Sequence, residues 1–292
     1  MQAVLASSGE QLAANILRLC LDEKQGEGVL AADGHLALIT LLHAGAGSKT
    51  AEHAVVALVN LSYHVPTSRL PIVQVGAVAP IVALLRTAPT ASSGLVLTNA
   101  ALLVANLATT SAGTEACLKA GAIATLVSLL GAASEIAMQA AGALCNLSRD
   151  AEAKKPANTT EILEAGAIPP LVALLHGETA RQAAGALCNL SAEAVGAAAI
   201  RSAGGIVPLV ALLHAAEAET AERAAGALFN MAVLDQQSRP ALLAALAARP
   251  PPPPHHHDRP QLAKLLTNLR PTAIERLTAA EAGDDAAALQ QA

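Results

Sequence analysis

Five asparagines recur in one setting: Asn60, Asn106, Asn146, Asn189 and Asn230, each followed by Leu or Met and then by Ser or Ala. An asparagine amide both donates and accepts hydrogen bonds, so a row of such amides can hold an extended main chain whatever its side chains are. The same amide has a second use, which is to bond a backbone carbonyl and brace its own unit. The steps between these asparagines are 46, 40, 43 and 41 residues. Seven residues before each stands a second polar column of His53, Asn99, Gln139, Gln182 and Arg223. Four residues before each, the column is small or aliphatic: Val56, Leu102, Gly142, Gly185 and Gly226. Residues four and seven apart share one face of an α-helix, so every unit shows a stripe that runs polar, small, then Asn. Stacked units would align these stripes into rows over a shallow, glycine-floored groove.

Other chemistry is sparse. The sequence holds no Gly-rich phosphate loop, no Gly-x-Ser-x-Gly elbow and no His-Glu-x-x-His. The acidic residues fall mainly in turns and in the first helix of each unit, so neither an enzyme nor a small-molecule substrate or cofactor is expected. His255-His256-His257 follow the run Pro250 to Pro254 and read as a solvated loop rather than a metal site. His43, His176 and His214 fall at the ends of apolar helices, where an imidazole suits the negative dipole end. The four cysteines (Cys20, Cys117, Cys145, Cys188) fit no metal spacing, and Cys145 and Cys188 read as buried small hydrophobes. Reduced thiols and a cytoplasmic or nuclear location are expected. A net charge of −5 and a pI near 6.0 offer no basic footprint for nucleic acid. The N-terminus lacks the basic start and apolar run of a secretory signal. The longest apolar stretches, near 94–108 and 203–213, are shorter than the ~20 residues of a membrane span.

What must position the stripes is a repeat. A second block keeps pace with the asparagines: Gly76-Ala77-Val78, Gly121-Ala122-Ile123, Gly166-Ala167-Ile168 and Gly204-Gly205-Ile206, each leading into an apolar run such as Leu171-Val172-Ala173-Leu174-Leu175. Self-similarity at a period near 40 is the signature of a helical solenoid. The chain is 53 % hydrophobic with one Phe, one Tyr and no Trp, so Ala and Leu supply the apolar content, and both favour helices. In 153–192 the pattern reads as a short helix ending at Gly166, a second apolar helix after Pro169-Pro170, and a third from about Ala180 to Leu190. The units lie near 31–66, 67–110, 111–152, 153–193 and 194–235. Residues 1–30 form an N-terminal cap or half repeat with Leu19 in the Asn position. Residues 236–292 form a degenerate C-terminal repeat. It comprises a helical stretch at 241–248, a Pro/His-rich insert at 249–260, a third-helix-like Gln261 to Leu269 and a fraying tail from about Ala279.

Three helices per unit and the phrases Glu164-Ala165-Gly166-Ala167-Ile168-Pro169-Pro170-Leu171 and Ala183-Ala184-Gly185-Ala186-Leu187-Cys188-Asn189-Leu190-Ser191 resemble the armadillo repeat. The phrasing is most similar to vacuolar-protein-8-like and plant U-box-associated arrays. The resemblance implies an all-α, right-handed α-α superhelix of about five three-helix repeats with degenerate caps. It also implies a concave groove lined by third helices, whose asparagines bond the main chain of an extended ligand. Carried over, this assigns peptide binding to Asn60, Asn106, Asn146, Asn189 and Asn230, with His53, Asn99, Gln139, Gln182 and Arg223 setting specificity. The family's import adapters carry Trp where Gly or aliphatic residues stand here, and its catenin grooves are strongly basic. Neither basic import signals nor strongly acidic ligands are therefore expected. The expectation is a monomeric, non-catalytic scaffold or adaptor that binds protein segments. The alternative is the substrate-recognition arm of a ubiquitin ligase, for which residues 1–292 would supply recognition alone. Pigment lyases of helical-repeat type have units nearer 30 residues, which the 40–46 spacing disfavours.

Overall fold

The computed structural model describes residues 2–149 and 157–248, and among these every regular element is a helix. The expected insert at 249–260, the helix Gln261 to Leu269 and the tail from Ala279 lie outside the described residues. A long helix, α1 (Gln2–Leu19), comes first. Triplets follow: α2 (Glu23–Ala31), α3 (Gly34–Leu41) and α4 (Lys49–His64); then α5 (Arg69–Gln74), α6 (Val78–Leu85) and α7 (Gly94–Leu107). The third triplet is α8 (Ser111–Lys119), α9 (Ala122–Leu129) and α10 (Ser134–Leu147), and the fourth is α11 (Ala157–Glu164), α12 (Ile168–Ala173) and α13 (Ala180–Leu190). The fifth is α14 (Ala194–Ser202), α15 (Ile206–Leu212) and α16 (Ala218–Leu234), after which comes α17 (Ser238–Ala247). The chain divides into two compact units, one up to Ala186 and one from Leu187, with the boundary inside α13.

A first helix, α2, precedes the residue-31 boundary read from the sequence. Its N-cap is Asp22, whose Oδ1 accepts the Gln25 amide at 3.0 Å. Only Gly26 and Val29 of this helix are buried, too few to give a periodic signal. First helices close at left-handed glycines: Gly76 (φ +81°), Gly121 (+66°), Gly166 (+75°) and Gly204 (+75°). In the first triplet that place is taken by Asp33 (φ +55°), a residue type that tolerates the left-handed region.

In the first unit the third helices pack side by side, α1 on α4, α4 on α7 and α7 on α10. Ala supplies their contact faces: Ala137, Ala140, Ala141 and Ala143 of α10 are all fully buried. A Cβ built on Gly9 would lie 3.6 Å from Thr50 Cγ2, which sets the middle of α1 against the start of α4. The carbonyl just after Asn60, Asn106, Asn146 and Asn189 meets the start of the following first helix. Leu61 O accepts Ser68 Oγ at 3.1 Å, and Leu147 O accepts Asn158 Nδ2 at 3.1 Å. At Leu107 O and Leu190 O the approach is backbone to backbone: a Cβ on Gly113 or Gly196 would stand 1.9 Å from the oxygen. Only glycine fits there.

In the second unit α16 packs on α14, α15 and α17. Arg201 Nε donates to Asp235 Oδ2 at 2.6 Å, and the same oxygen accepts Ser238 Oγ at 2.7 Å. Arg239 Nε donates to Ala232 O at 2.7 Å, as Arg69 Nε does to Ser62 O at 2.9 Å, each reaching seven residues back. Helix α17 therefore begins as α5 does, as another first helix. The regular architecture continues past Asp235, where the sequence pattern frays because only Ser238 and Leu242 of α17 are buried.

Two predictions follow from these packing contacts. Gly113→Ala should lose about 2 kcal/mol in urea unfolding through overpacking, while Gly94→Ala, whose Cβ meets nothing within 4 Å, should lose none. Burial alone would raise the Asp235 carboxyl. Hydrogen bonds from Arg201 and Ser238, the Arg201 charge and the Gln237 amide outweigh it and hold the carboxyl below its ordinary value of 3.8. A depressed carboxyl contributes stability above its unfolded pKa and loses it as pH falls through the folded one. Asp235→Asn should thus cost about 1–2 kcal/mol at pH 7. The gap in melting temperature between parent and variant should close as the pH is taken below about 4.

Candidate functional site

The third helices leave one stripe outside their Ala-rich contact faces. On α10, burial of Ile136, Ala137, Ala140, Ala141, Ala143, Leu144 and Leu147 leaves Gln139, Gly142 and Asn146 half-buried. Asn60, Asn106, Asn189 and Asn230 are half-buried as well. The amides of Asn106, Asn146 and Asn230 reach the preceding triplet. Asn106 Nδ2 donates to Ser62 Oγ at 3.0 Å, and Asn146 Nδ2 to Ala105 O at 2.8 Å. Asn230 Nδ2 donates to Cys188 O at 3.2 Å and to Ser191 Oγ at 3.1 Å. The brace expected within one repeat is thus a bond between neighbouring repeats.

The end of α7 shows why. An α-helix leaves its last four carbonyls without helical partners. Here Val104 O takes the Ala108 amide at 2.9 Å, Asn106 O takes Thr109 Oγ1 at 2.6 Å and Leu107 O takes Thr110 Oγ1 at 2.9 Å. Ala105 O takes Asn146. Asn146 therefore acts as a remote C-cap for α7. Its Oδ1 and second N–H, like those of Asn106, have no partner among the described residues.

The i−7 column is less uniform. Asn99 Nδ2 bonds its own helix at Leu95 O, 2.8 Å away, and Arg223 pairs with Glu219 at 2.5 Å. His53 Nδ1 and Gln182 Oε1 are shielded from water and make no hydrogen bond among the described residues. Gln139 is half-buried. The first unit thus gathers Asn60, Asn106 and Asn146 with His53, Asn99, Gln139 and Gln182. The second holds Asn189, Asn230 and Arg223.

Three sequence stretches, residues 110–149, 155–192 and 196–233, match the armadillo/beta-catenin-like repeat, and they span the triplets α8–α10, α11–α13 and α14–α16. An engineered protein of known structure is similar at 27 % identity over 93 % of this chain and 67 % of its own, with a TM-score of 0.77. A designed armadillo repeat protein is similar at 26 % identity over 79 % of this chain and 94 % of its own, with a TM-score of 0.67. The chain folds as an armadillo solenoid. A second designed armadillo repeat protein, in complex with the peptide (KR)4, is similar at 26 % identity over 77 % of this chain and 91 % of its own, with a TM-score of 0.61. The comparison with curated proteins finds no match.

Two expectations for these armadillo repeats are corrected. Gly226 is buried, and a Cβ there would meet Cys188 Sγ at 2.7 Å, so this glycine serves close packing between repeats rather than an open floor. Cys145 and Cys188 are half-buried, not buried. No disulfide joins the four cysteines, and burial pushes the Cys20 thiol up to about 11 and the Cys117 thiol to about 12. Among the described residues no group of three metal-ligating side chains occurs, and no single helix is long and apolar enough to cross a membrane. The expected dipole contact is seen at His43, whose Nδ1 lies 3.2 Å from Thr40 O.

The sequence reading gave no role to the serine two residues after Asn60, Asn146 and Asn189. Ser62 and Ser191 donate to their own helices, at Val59 O (2.9 Å) and Cys188 O (2.7 Å), and accept the asparagine of the next repeat. Ala108 has no hydroxyl, and there Asn146 turns to the backbone. The recurring Asn-Leu-Ser was visible all along as a two-part motif.

Proposed function

We propose that this armadillo solenoid is a non-catalytic scaffold or adaptor, and that its first unit holds an extended segment of another protein along the stripes of α4, α7 and α10. The observation that carries this reading is the half-exposed position of Asn60, Asn106 and Asn146 on three successively packed helices. Each amide there has bonding capacity left over. At Asn106 and Asn146 one N–H is fixed by the preceding repeat, which orients the amide, while Oδ1 and the second N–H remain for a ligand main chain. A fixed amide loses little rotamer entropy on binding. The designed relative seen with (KR)4 supports peptide binding as the use of such a face. The columns bearing His53, Asn99 and Gln139 would then read the ligand's side chains.

Asn60 separates ligand binding from bracing. It makes no hydrogen bond among the described residues, so Asn60→Ala should leave stability within about 0.5 kcal/mol of the parent. Combined with Asn146→Ala, at helix content matched by circular dichroism, it should lower capture of partner proteins from lysate at least tenfold. Identical capture by parent and double variant would overturn the assignment of this face.

A further inference from the structure

We infer that helix α1 is a strap that opens from the first unit on its own under native conditions, while α2, α3 and α4 stay folded. The hydrogen bond that ties a third helix to the one before it is missing between α4 and α1. Asn106 holds Ser62 and Asn146 holds Ala105, but Asn60 makes no hydrogen bond among the described residues. Apolar burial does not make up the difference. Of residues 8–19 of α1 only Ala13 and Ile16 are buried, with Cys20 just past the helix end, whereas α4 and α7 each bury nine residues. The close approach of α1 is made by a glycine, since a Cβ on Gly9 would lie 3.2 Å from Leu41 Cδ2. Gly9 and Ala13 let α1 lie near its neighbours but bring little apolar area with them. The larger Leu12 and Leu19 are exposed by 46 and 45 %.

The chain beyond α1 is anchored without it. Helix α2 starts from its own N-cap, the Asp22 carboxylate on the Gln25 amide. It is pressed against the end of α4, where a Cβ on Gly26 would stand 2.9 Å from Val65 Cγ2 and 3.5 Å from Leu61 Cδ1. Between α1 and the Asp22 cap lie only Cys20 and Leu21, and Leu21 is exposed. A swing about these residues removes α1 and breaks no contact among α2, α3 and α4. The stability of a solenoid is a sum over neighbouring interfaces, so an end helix with one thin interface opens at a lower cost than global unfolding. Opening uncovers Leu41 and the start of α4 at Thr50, and it releases Cys20, which is fully buried at the foot of the closed strap.

The test uses the full chain, with amide hydrogen exchange and alkylation of Cys20 by N-ethylmaleimide both read by mass spectrometry. The α1 amides and Cys20 should report one opening constant, roughly a hundredfold or more above that of the α7 amides. Urea below the unfolding transition should scarcely change it, because little surface is exposed, while the α7 constant rises steeply. Ile16→Ala should raise the opening constant at least fivefold at both probes and leave α7 unchanged. Equal constants and equal urea slopes for α1 and α7 would mean that α1 leaves only when the whole unit unfolds, and would overturn the strap. An Ile16→Ala variant that speeds α7 as much as α1 would overturn it too.

Discussion

The structure depends on one hydrogen bond, made at Asn106, Asn146 and Asn230, from the asparagine amide of a third helix to the end of the third helix before it. The neutral bond adds only about 1 kcal/mol net, but a half-buried helix-end carbonyl left without a partner costs about 1–3 kcal/mol. That asymmetry gives the bond its force on geometry. A third helix shifted along its neighbour would strand Ala105 O beside Asn146, or Ser62 Oγ beside Asn106. The stacking register is set by polar groups at the helix ends, and the Ala-rich contact faces are free to pack smoothly.

Smooth packing has its own requirements. With no Trp and a single Phe, the cores rest on Ala and Leu, so helices approach closely and glycine is needed where backbones meet. Gly113 and Gly196 let a first helix rest on the carbonyl after the asparagine, and Gly226 makes room for Cys188 Sγ. The same asparagine block is therefore crowded from two directions, by the following first helix and by the next third helix. What remains open is the narrow stripe on which the binding reading rests.

Much of this was legible in the sequence. The period near 40, the glycines that end first helices and the third helix at Ala180–Leu190 all follow from residue spacing, because glycine and helical periodicity act locally. The stripe columns were legible for the same reason. What was not legible depends on contacts across repeats: that Asn106 reaches Ser62, that Gly226 is closed off by Cys188, and that Arg201 finds Asp235 34 residues on. Helix α2 escaped, and α17 was read only as a helical stretch at 241–248 and not as a first helix, because each buries only two residues and hydrophobic periodicity had little to register. Asp33 hid a left-handed cap by standing where the other repeats carry glycine.

The most direct test of the central claim is the solvent exchange of asparagine side-chain amides, followed by NMR on ¹⁵N-labelled protein. The Nδ2 protons of Asn106, Asn146 and Asn230 should exchange several-fold more slowly than those of the exposed Asn15. Exchange at the same rate would mean that the amides do not hold the preceding repeat, and that the stacking register has another origin.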